Sequence, residues 1–357
     1  MKTIMAQEIA EQPAAIAATL AALRPLREQI AQLAQNRQQI LLVARGSSDN
    51  AAIYGRYLLE VHAGRPASMA APSVATHYRR ELDLTGALVV CISQSGQTEE
   101  IVQTHDWARR CGAATIAVTN VQGSPLAQAA DLALVTMAGR EWAVPATKTF
   151  TTQMAAMAVL ATALASNPSA LDPDLDRVPE EVEKLIANRS GVDEAVTMLA
   201  RTNEVLVNGR GLAFAAAVET ALKLEETCLR PVRGLSYADL KHGPIAIVDP
   251  QMVSIVVAAQ DGPMLEGLTE LLGELRSRGA LTIGIGGDSG FAAAADVSVA
   301  GPDLPEMVAP IALVVAGQLV VEALARALGL NPDAPRGLNK VTQTDAEPSP
   351  GTATQLR

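Results

Sequence analysis

The sequence predicts an α/β fold in which one unit, a parallel sheet between layers of helices, occurs twice. Three observations carry that prediction. Short, almost wholly apolar β-branched runs alternate with longer helical stretches, as expected of parallel strands buried on both faces. The runs recur at matching intervals in the two halves. From Leu41 to Leu88, Thr115 and Leu132 the successive steps are 47, 27 and 17 residues; from Val205 to Val253, Leu281 and Val297 they are 48, 28 and 16. The length of 357 residues suits two domains of roughly 100–200 residues each.

Taken in order, residues 1–30 form an N-terminal helical segment. Residues 31–190 make the first unit, with strands expected at Ile40–Ala44, Leu88–Ile92, Thr115–Thr119 and Asp131–Val135. A boundary falls within 166–200, where Asn167-Pro-Ser and Asp172-Pro-Asp interrupt the apolar pattern and a charged helical stretch, Pro179–Asn188, follows. Residues 191–334 make the second unit, with strands at Glu204–Asn208, Val253–Val257, Leu281–Ile285 and Asp296–Ala300. Residues 335–357 are a C-terminal tail; Pro335–Thr342 is polar, lies outside the repeat, and on composition alone reads as disordered.

Composition narrows the function. With 49% hydrophobic and 18% charged residues the chain can bury a large core, and with 3% aromatics that core must be built from Ala, Val, Leu and Ile. A net charge of −10 with four histidines and no basic run argues against nucleic acid as a partner. Cys91, Cys111 and Cys228 make neither a disulfide framework nor a CxxC metal pair, which suits a reducing, cytoplasmic setting. No membrane is expected. The apolar stretch Met307–Leu328 carries Pro310, and Gln318, Glu322 and Arg326 repeat along it at four-residue spacing, as on the polar face of a soluble helix. Glu8 and Glu11 fall where a signal peptide would be apolar.

In open parallel sheets ligands bind beyond the carboxyl ends of the strands. The loop after the first strand is Arg45-Gly46-Ser47-Ser48-Asp49, and after the second Ser93-Gln94-Ser95-Gly96-Gln97-Thr98. Each opens a helix. One such loop reads best as an N-cap, the commonest use of Ser and Thr there; two adjacent loops carrying five hydroxyls point to an anion site, with phosphate the expected anion. The matching loops of the second half, Gly209-Arg-Gly211 and Gln260-Asp-Gly-Pro263, lack the hydroxyls. Gly209-Arg-Gly211 is no dinucleotide fingerprint, because Phe214 stands where the third glycine belongs. On the helix that follows, Glu219, Lys223 and Glu226 share one face. Alone they read as surface charge. Followed by His242-Gly-Pro244, they supply an acid, a base and a cation suited to moving protons on a sugar phosphate.

Seven ordered segments together resemble the sugar isomerase (SIS) family, and within it the isomerase half of the glutamine–fructose-6-phosphate transaminases. They are Met5–Pro13, Arg45-Gly-Ser-Ser48, Ile92–Thr98, Ala146-Thr-Lys-Thr-Phe-Thr-Thr-Gln153, Ala221–Glu226, Leu240–Pro244 and Pro335-Arg-Gly-Leu-Asn-Lys340. The resemblance implies two tandem SIS domains, each a flavodoxin-like α/β/α sandwich. It implies that Gly46, Ser47, Ser93, Gln94, Ser95 and Thr98 hold the sugar phosphate, that Ser48 meets the sugar hydroxyls, and that Val144 meets the sugar through its backbone. Glu226 becomes the base at C1 and C2, Lys223 its assistant, His242 the ring-opening group reaching into a neighbouring subunit, and Lys340 a lysine able to form an imine with a ketose. A homodimer with shared sites is implied, and no metal or redox cofactor is needed. Ser47, Ala146, Asp239 and Asn339 depart from the family's usual residues. Lys2 stands where the transaminases carry a glutaminase cysteine, so this chain is expected not to draw ammonia from glutamine itself. The activity this implies first is a glucosamine-6-phosphate deaminase of the SIS type. A fructosamine-6-phosphate deglycase, a simple isomerase and a non-catalytic sugar-phosphate binder are the alternatives.

Overall fold

The computed structural model describes residues 2–343. It holds two five-stranded sheets, one per half of the chain. The first comprises β1 (Gln39–Val43), β2 (Ala67–Met69), β3 (Ala87–Ile92), β4 (Ala114–Thr119) and β5 (Leu132–Val135), in the order β2-β1-β3-β4-β5. The second comprises β6 (Val205–Gly209), β7 (Val232–Ser236), β8 (Val253–Ala258), β9 (Leu281–Gly286) and β10 (Val297–Val299), in the order β10-β9-β8-β6-β7. Numbered within its own unit, each sheet reads 2-1-3-4-5, and every pairing is parallel. The expected α/β fold with two parallel-sheet units is the fold observed.

The duplication extends to a side-chain lock. In the first unit Asp131 Oδ2 accepts from the backbone N–H of Thr115 at 2.8 Å and from its hydroxyl at 3.0 Å. In the second, Asp296 Oδ2 accepts from the same two groups of Thr282, both at 2.9 Å. Each lock ties the start of the fifth strand to the start of the fourth, satisfying donors that would otherwise be orphaned at the sheet end.

Two strands escaped the sequence reading. β2 is only three residues, and β7, Val232-Arg-Gly-Leu-Ser236, carries a charge and a glycine. Both are edge strands. An edge strand needs no apolar side chain on both faces, so the continuous apolar run that marks its neighbours is missing.

The two units are joined through helices. Helix Ser47–Val61, which follows β1, packs against Lys148–Leu164 of its own unit and against Phe214–Cys228, its counterpart after β6. Phe214–Cys228 in turn packs on Ala309–Ala327. One aliphatic core runs through all of these helices and both sheets, as the scarcity of aromatics requires. Among the described helices only Ala309–Ala327 is long and apolar enough to cross a membrane, and 94% of it is buried inside the fold. Its polar stripe does not face water throughout. Gln318 accepts a hydrogen bond from Gln12 at 2.9 Å and Glu322 one from Thr3 at 2.8 Å, so the stripe is where the N-terminal segment docks.

Composition assigned the C-terminal tail to disorder. Through Gln343 the structure lays it across the carboxyl end of the first sheet instead, and residues 344–357 lie outside the described range.

Candidate active site

The strand order reverses between β1 and β3, so the loops leaving them diverge and open a crevice at the carboxyl edge. These loops line a cavity of about 330 Å³. A larger one, about 880 Å³, lies between Asp193, Arg201, Glu204 and Gln251 at the opposite, amino ends of the second sheet's strands, away from every loop discussed above. Topology and side-chain chemistry, rather than size, therefore locate the site.

The first loop turns through Gly46, whose φ of 58° and ψ of −134° only glycine adopts readily. The second turns through Gly96, at φ 62°, where a methyl group would lie 2.2 Å from Ser124 Oγ and 2.9 Å from Thr119 Oγ1. Of the helices that follow, Ser47–Val61 has Gly46 at its cap, with no side chain, and Glu99–Arg110 donates no backbone N–H to the hydroxyl of its cap residue Thr98. The Thr98 hydroxyl is thus not consumed as a cap, while Ser95 Oγ accepts from Gln97 N at 3.2 Å and Ser47 is hydrogen-bonded to Glu219. Ser93 and Thr98 place theirs 3.3 Å apart, and Ser47, Ser48 and Ser95 share the same cavity wall with Gly46 and Gln94. Arg45 also lines it, held by a paired contact to Glu100 at 2.8 and 2.9 Å.

The facing wall comes from the second unit. Glu226, on helix Phe214–Cys228, reaches the cavity because that helix crosses Ser47–Val61 at the seam between the units. Lys223, one turn earlier, is hydrogen-bonded to Glu226 and sits 3.4 Å from Glu219. It is 1% exposed and does not itself line the cavity. Burial pushes the Lys223 ammonium down, but Glu219 and Glu226 outweigh that and hold it above its ordinary value. Burial pushes Glu219 up, against Lys223 and a 2.8 Å hydrogen bond from Asn50. Lys223 is therefore a fixed cation behind the exposed carboxylate.

The roof is the tail. Lys340 Nζ donates to Glu141 Oε2 at 2.7 Å, to the Ala143 carbonyl at 2.7 Å and, more weakly, to that of Val144 at 3.4 Å. Gln343 accepts from Glu99 N at 3.0 Å, so the tail side chain occupies a free donor at that helix start. Val144 faces the cavity, with its N–H given to Asp333 O at 2.9 Å. His242 is exposed, just past the short helix Tyr237–Lys241, and lies outside the cavity of its own chain.

Sequence reading missed Glu141, which is fully buried and accepts from Thr147 N at 2.8 Å and Thr147 Oγ1 at 3.1 Å as well as from Lys340. It stands in no run of similar residues. Only its five-residue distance from Ala146–Gln153, whose Thr149 and Gln153 line the cavity, could have drawn notice.

The corresponding crevice of the second sheet is filled from within. Glu306 lies against its two loops: a methyl on Gly262 would meet Glu306 Oε2 at 2.3 Å, and one on Gly211 would meet Oε1 at 3.4 Å. Burial, reinforced by Asp261, raises this carboxyl above its ordinary value. Among the described residues no group of three or more His, Cys, Asp and Glu is arranged to hold a metal ion.

Comparison with known families agrees with this geometry. The SIS domain family matches twice, at residues 32–163 and 198–327. The chain belongs to the SIS domain family. It is 33% identical over 344 residues to the glutamine–fructose-6-phosphate aminotransferase (isomerizing) of Thermococcus kodakarensis, covering 94% of this chain and 57% of that protein. The chain thus spans little more than half the length of the curated relatives it matches. Among solved structures, a Silicibacter pomeroyi chain provisionally described as a phosphosugar isomerase superposes with a TM-score of 0.86 at 31% identity, covering 93% of this SIS chain and all of that one. The C-terminal domain of a Francisella tularensis glucosamine–fructose-6-phosphate aminotransferase superposes at 0.80 with 27% identity, covering 94% and 99%.

Two measurements test this description. Gly96→Ala forces a left-handed backbone and a collision with Ser124, so it is expected to destabilise the fold by about 1–3 kcal/mol in denaturant titrations. An unchanged midpoint would show that the loop relaxes freely. Burial raises the Glu141 carboxyl, but Lys340 and the Thr149 and Thr147 donors outweigh it, so its value in the fold is below the ordinary one. The stability this contributes is full above the ordinary glutamate value of about 4.3 and is lost as pH falls through the lower folded value. Relative to wild type, Glu141→Gln should therefore cost most Tm above about pH 5, and the gap should close as the pH is lowered. Parallel Tm–pH curves would contradict the assignment.

Proposed function

We propose that this SIS protein is an amino-sugar phosphate deaminase, converting glucosamine 6-phosphate and water to fructose 6-phosphate and ammonia. One observation carries the reading: a carboxylate, Glu226, fixed by a buried cation, faces a cavity whose opposite wall is two hydroxyl-rich loops and whose roof is a lysine.

The phosphate is bound by the hydroxyls of Ser47, Ser93, Ser95 and Thr98 and by free N–H groups at the two helix starts, where the helix dipoles favour an anion. That anchor is remote from the reacting carbons, so its binding energy positions C1 and C2 against Glu226. After ring opening, the C1 aldehyde acidifies the C2 proton. Glu226 takes it, leaving an enolamine, and returns a proton to C1. The product is an imine at C2. Water adds to that imine carbon, the C–N bond breaks, ammonia leaves and the C2 ketone remains. Lys223 holds Glu226 in place through their hydrogen bond, and Lys340 supplies positive charge where oxygen at C1 or C2 becomes anionic. Ser48 and the Val144 backbone meet the sugar. The resemblance to the SIS isomerase half assigns ring opening to His242 of a second subunit, and in this chain the side chain lies outside its own cavity. The reading therefore includes a homodimer with shared sites.

Ammonia release from glucosamine 6-phosphate by the purified chain tests the reaction, and Glu226→Gln should lower it by about 10²–10⁴-fold. A folded protein that releases no ammonia, or a Glu226→Gln variant as active as wild type, would overturn it. Release from fructosamine 6-phosphates alone would assign the same site to a deglycase. The shared site is tested by refolding Glu226→Gln and His242→Asn chains together. Each is expected to be inactive alone and the mixture active, since one site of the mixed dimer then carries neither substitution. No recovery from a confirmed mixed dimer would place His242 outside the chemistry.

A further inference from the structure

The segment Met5–Pro13 touches no part of the cavity, and the mechanism leaves it without a role. Its side chains are nonetheless deeply engaged. Glu8 is 2% exposed, and its two oxygens accept the consecutive backbone N–H groups of Trp142 at 2.5 Å and Ala143 at 3.2 Å. Lys148 reaches Glu11 at 2.5 Å and Glu8 at 4.0 Å. Gln12 donates to Gln318. The first of these contacts falls on the stretch of chain that holds Lys340.

Residues 141–144 serve on their other side as the seat of Lys340. An ammonium has three donors and no acceptor. Here they go to the Glu141 carboxylate and to the carbonyls of Ala143 and Val144. The Ala143 carbonyl shares its peptide unit with Val144 N, which donates to Asp333 O, and the two peptide units immediately before it are held by Glu8 through Trp142 N and Ala143 N. Asp333 closes the loop of contacts. Its carboxylate accepts from Ile4 N at 2.9 Å and Met5 N at 2.8 Å, fixing the start of helix Ile4–Ala10. That helix presents Glu8, and Asp333 stands seven residues before Lys340. Both ends of the chain thus meet on one short stretch that bears no charge of its own between Glu141 and Val144.

We infer that Glu8 is a positioning residue for Lys340: it sets the two peptide units whose neighbouring carbonyls hold the ammonium over the cavity, so that the N-terminal helix is part of the apparatus that places the catalytic lysine. A purely structural helix would affect stability and every part of the site alike. A positioning residue acts on Lys340 and spares the phosphate loops, which hang from β1 and β3 and touch neither Glu8 nor Asp333.

The kinetic part of the test rests on the deaminase reading, so the main readout is independent of turnover. Lys340 is labelled by reductive methylation and its modification rate followed by peptide mass spectrometry. Exposed Lys184 is the internal reference. In Glu8→Gln one N–H of the pair loses its acceptor, the stretch loosens, and Lys340 is expected to label severalfold faster while Lys184 does not change. Glu8→Asp keeps the charge but shortens the arm and should fall between the two. If Glu8→Gln does not fold, Glu8→Asp is read against wild type in the same way. Folded variants that label Lys340 at the wild-type rate would overturn the inference. Where ammonia release is measurable, kcat should fall by up to about 10²-fold with KM for the sugar phosphate little changed. A fall confined to KM would also count against it. If no ammonia is released even by wild type, the labelling result still stands for or against Glu8.

Discussion

Everything in the site depends on one packing contact, the crossing of helix Ser47–Val61 over helix Phe214–Cys228. Each helix follows the first strand of its sheet. The topology of a parallel sheet alone would leave the hydroxyl-rich loops at the mouth of the first unit and the Glu226 carboxylate on a helix of the second. The crossing brings them to one cavity. A hydrogen bond from Asn50 to Glu219, at 2.8 Å, pins it from inside. That bond joins a residue three positions past Ser47 to one seven positions before Glu226. A shift between the two units would thus move the anion loops and the carboxylate relative to each other.

The charges around that crossing are arranged for chemistry rather than stability. Lys223 lies between Glu219 and Glu226 with almost no access to water. Desolvating three charges is costly, and an apolar cluster of the same volume would hold the helices together as well or better. The arrangement gives something an apolar cluster cannot. Glu219 is wholly enclosed, while the Glu226 side chain remains a quarter exposed. The buried pair fixes the cation, and the cation fixes an exposed carboxylate at the cavity wall. Lys340 repeats the design on the opposite side, with Glu141 buried and the lysine partly exposed.

What could be read from the sequence follows from where the determinants lie. Central strands such as Leu88–Ile92 and Val253–Val257 are buried on both faces, and that burial writes itself as a local apolar run. Edge strands β2 and β7 carry no such mark. The serine loops were legible because sheet topology dictates that ligand loops follow the strands, and these two are rich in hydroxyls. Glu141 was not legible, because nothing near it in sequence says that residue 340 returns to it. The tail reads as polar and structureless for the same reason: its order comes from Glu141, Val144 and Glu99, all about 200 or more residues away. Glu8 and Glu11 stand out in the sequence as charges that break a signal peptide and as part of the Met5–Pro13 segment, with nothing to show that their partners lie in Trp142–Lys148.

The duplicated fold also offers an internal comparison. The same topology generates a crevice at the carboxyl edge of each sheet, and the sequence has treated the two in opposite ways. In the first, glycines turn the chain, hydroxyls line the wall, and a lysine from the tail closes over the top. In the second, Glu306 puts a carboxylate against Gly211 and Gly262, the place where an anionic ligand would have to sit. The side chain takes up the space between those two loops, and burial together with Asp261 raises its carboxyl above the ordinary value. With its own crevice closed by Glu306, the second unit instead contributes the helix after its first strand across the seam. The residues it lends, Lys223 and Glu226, are the ones the first unit lacks.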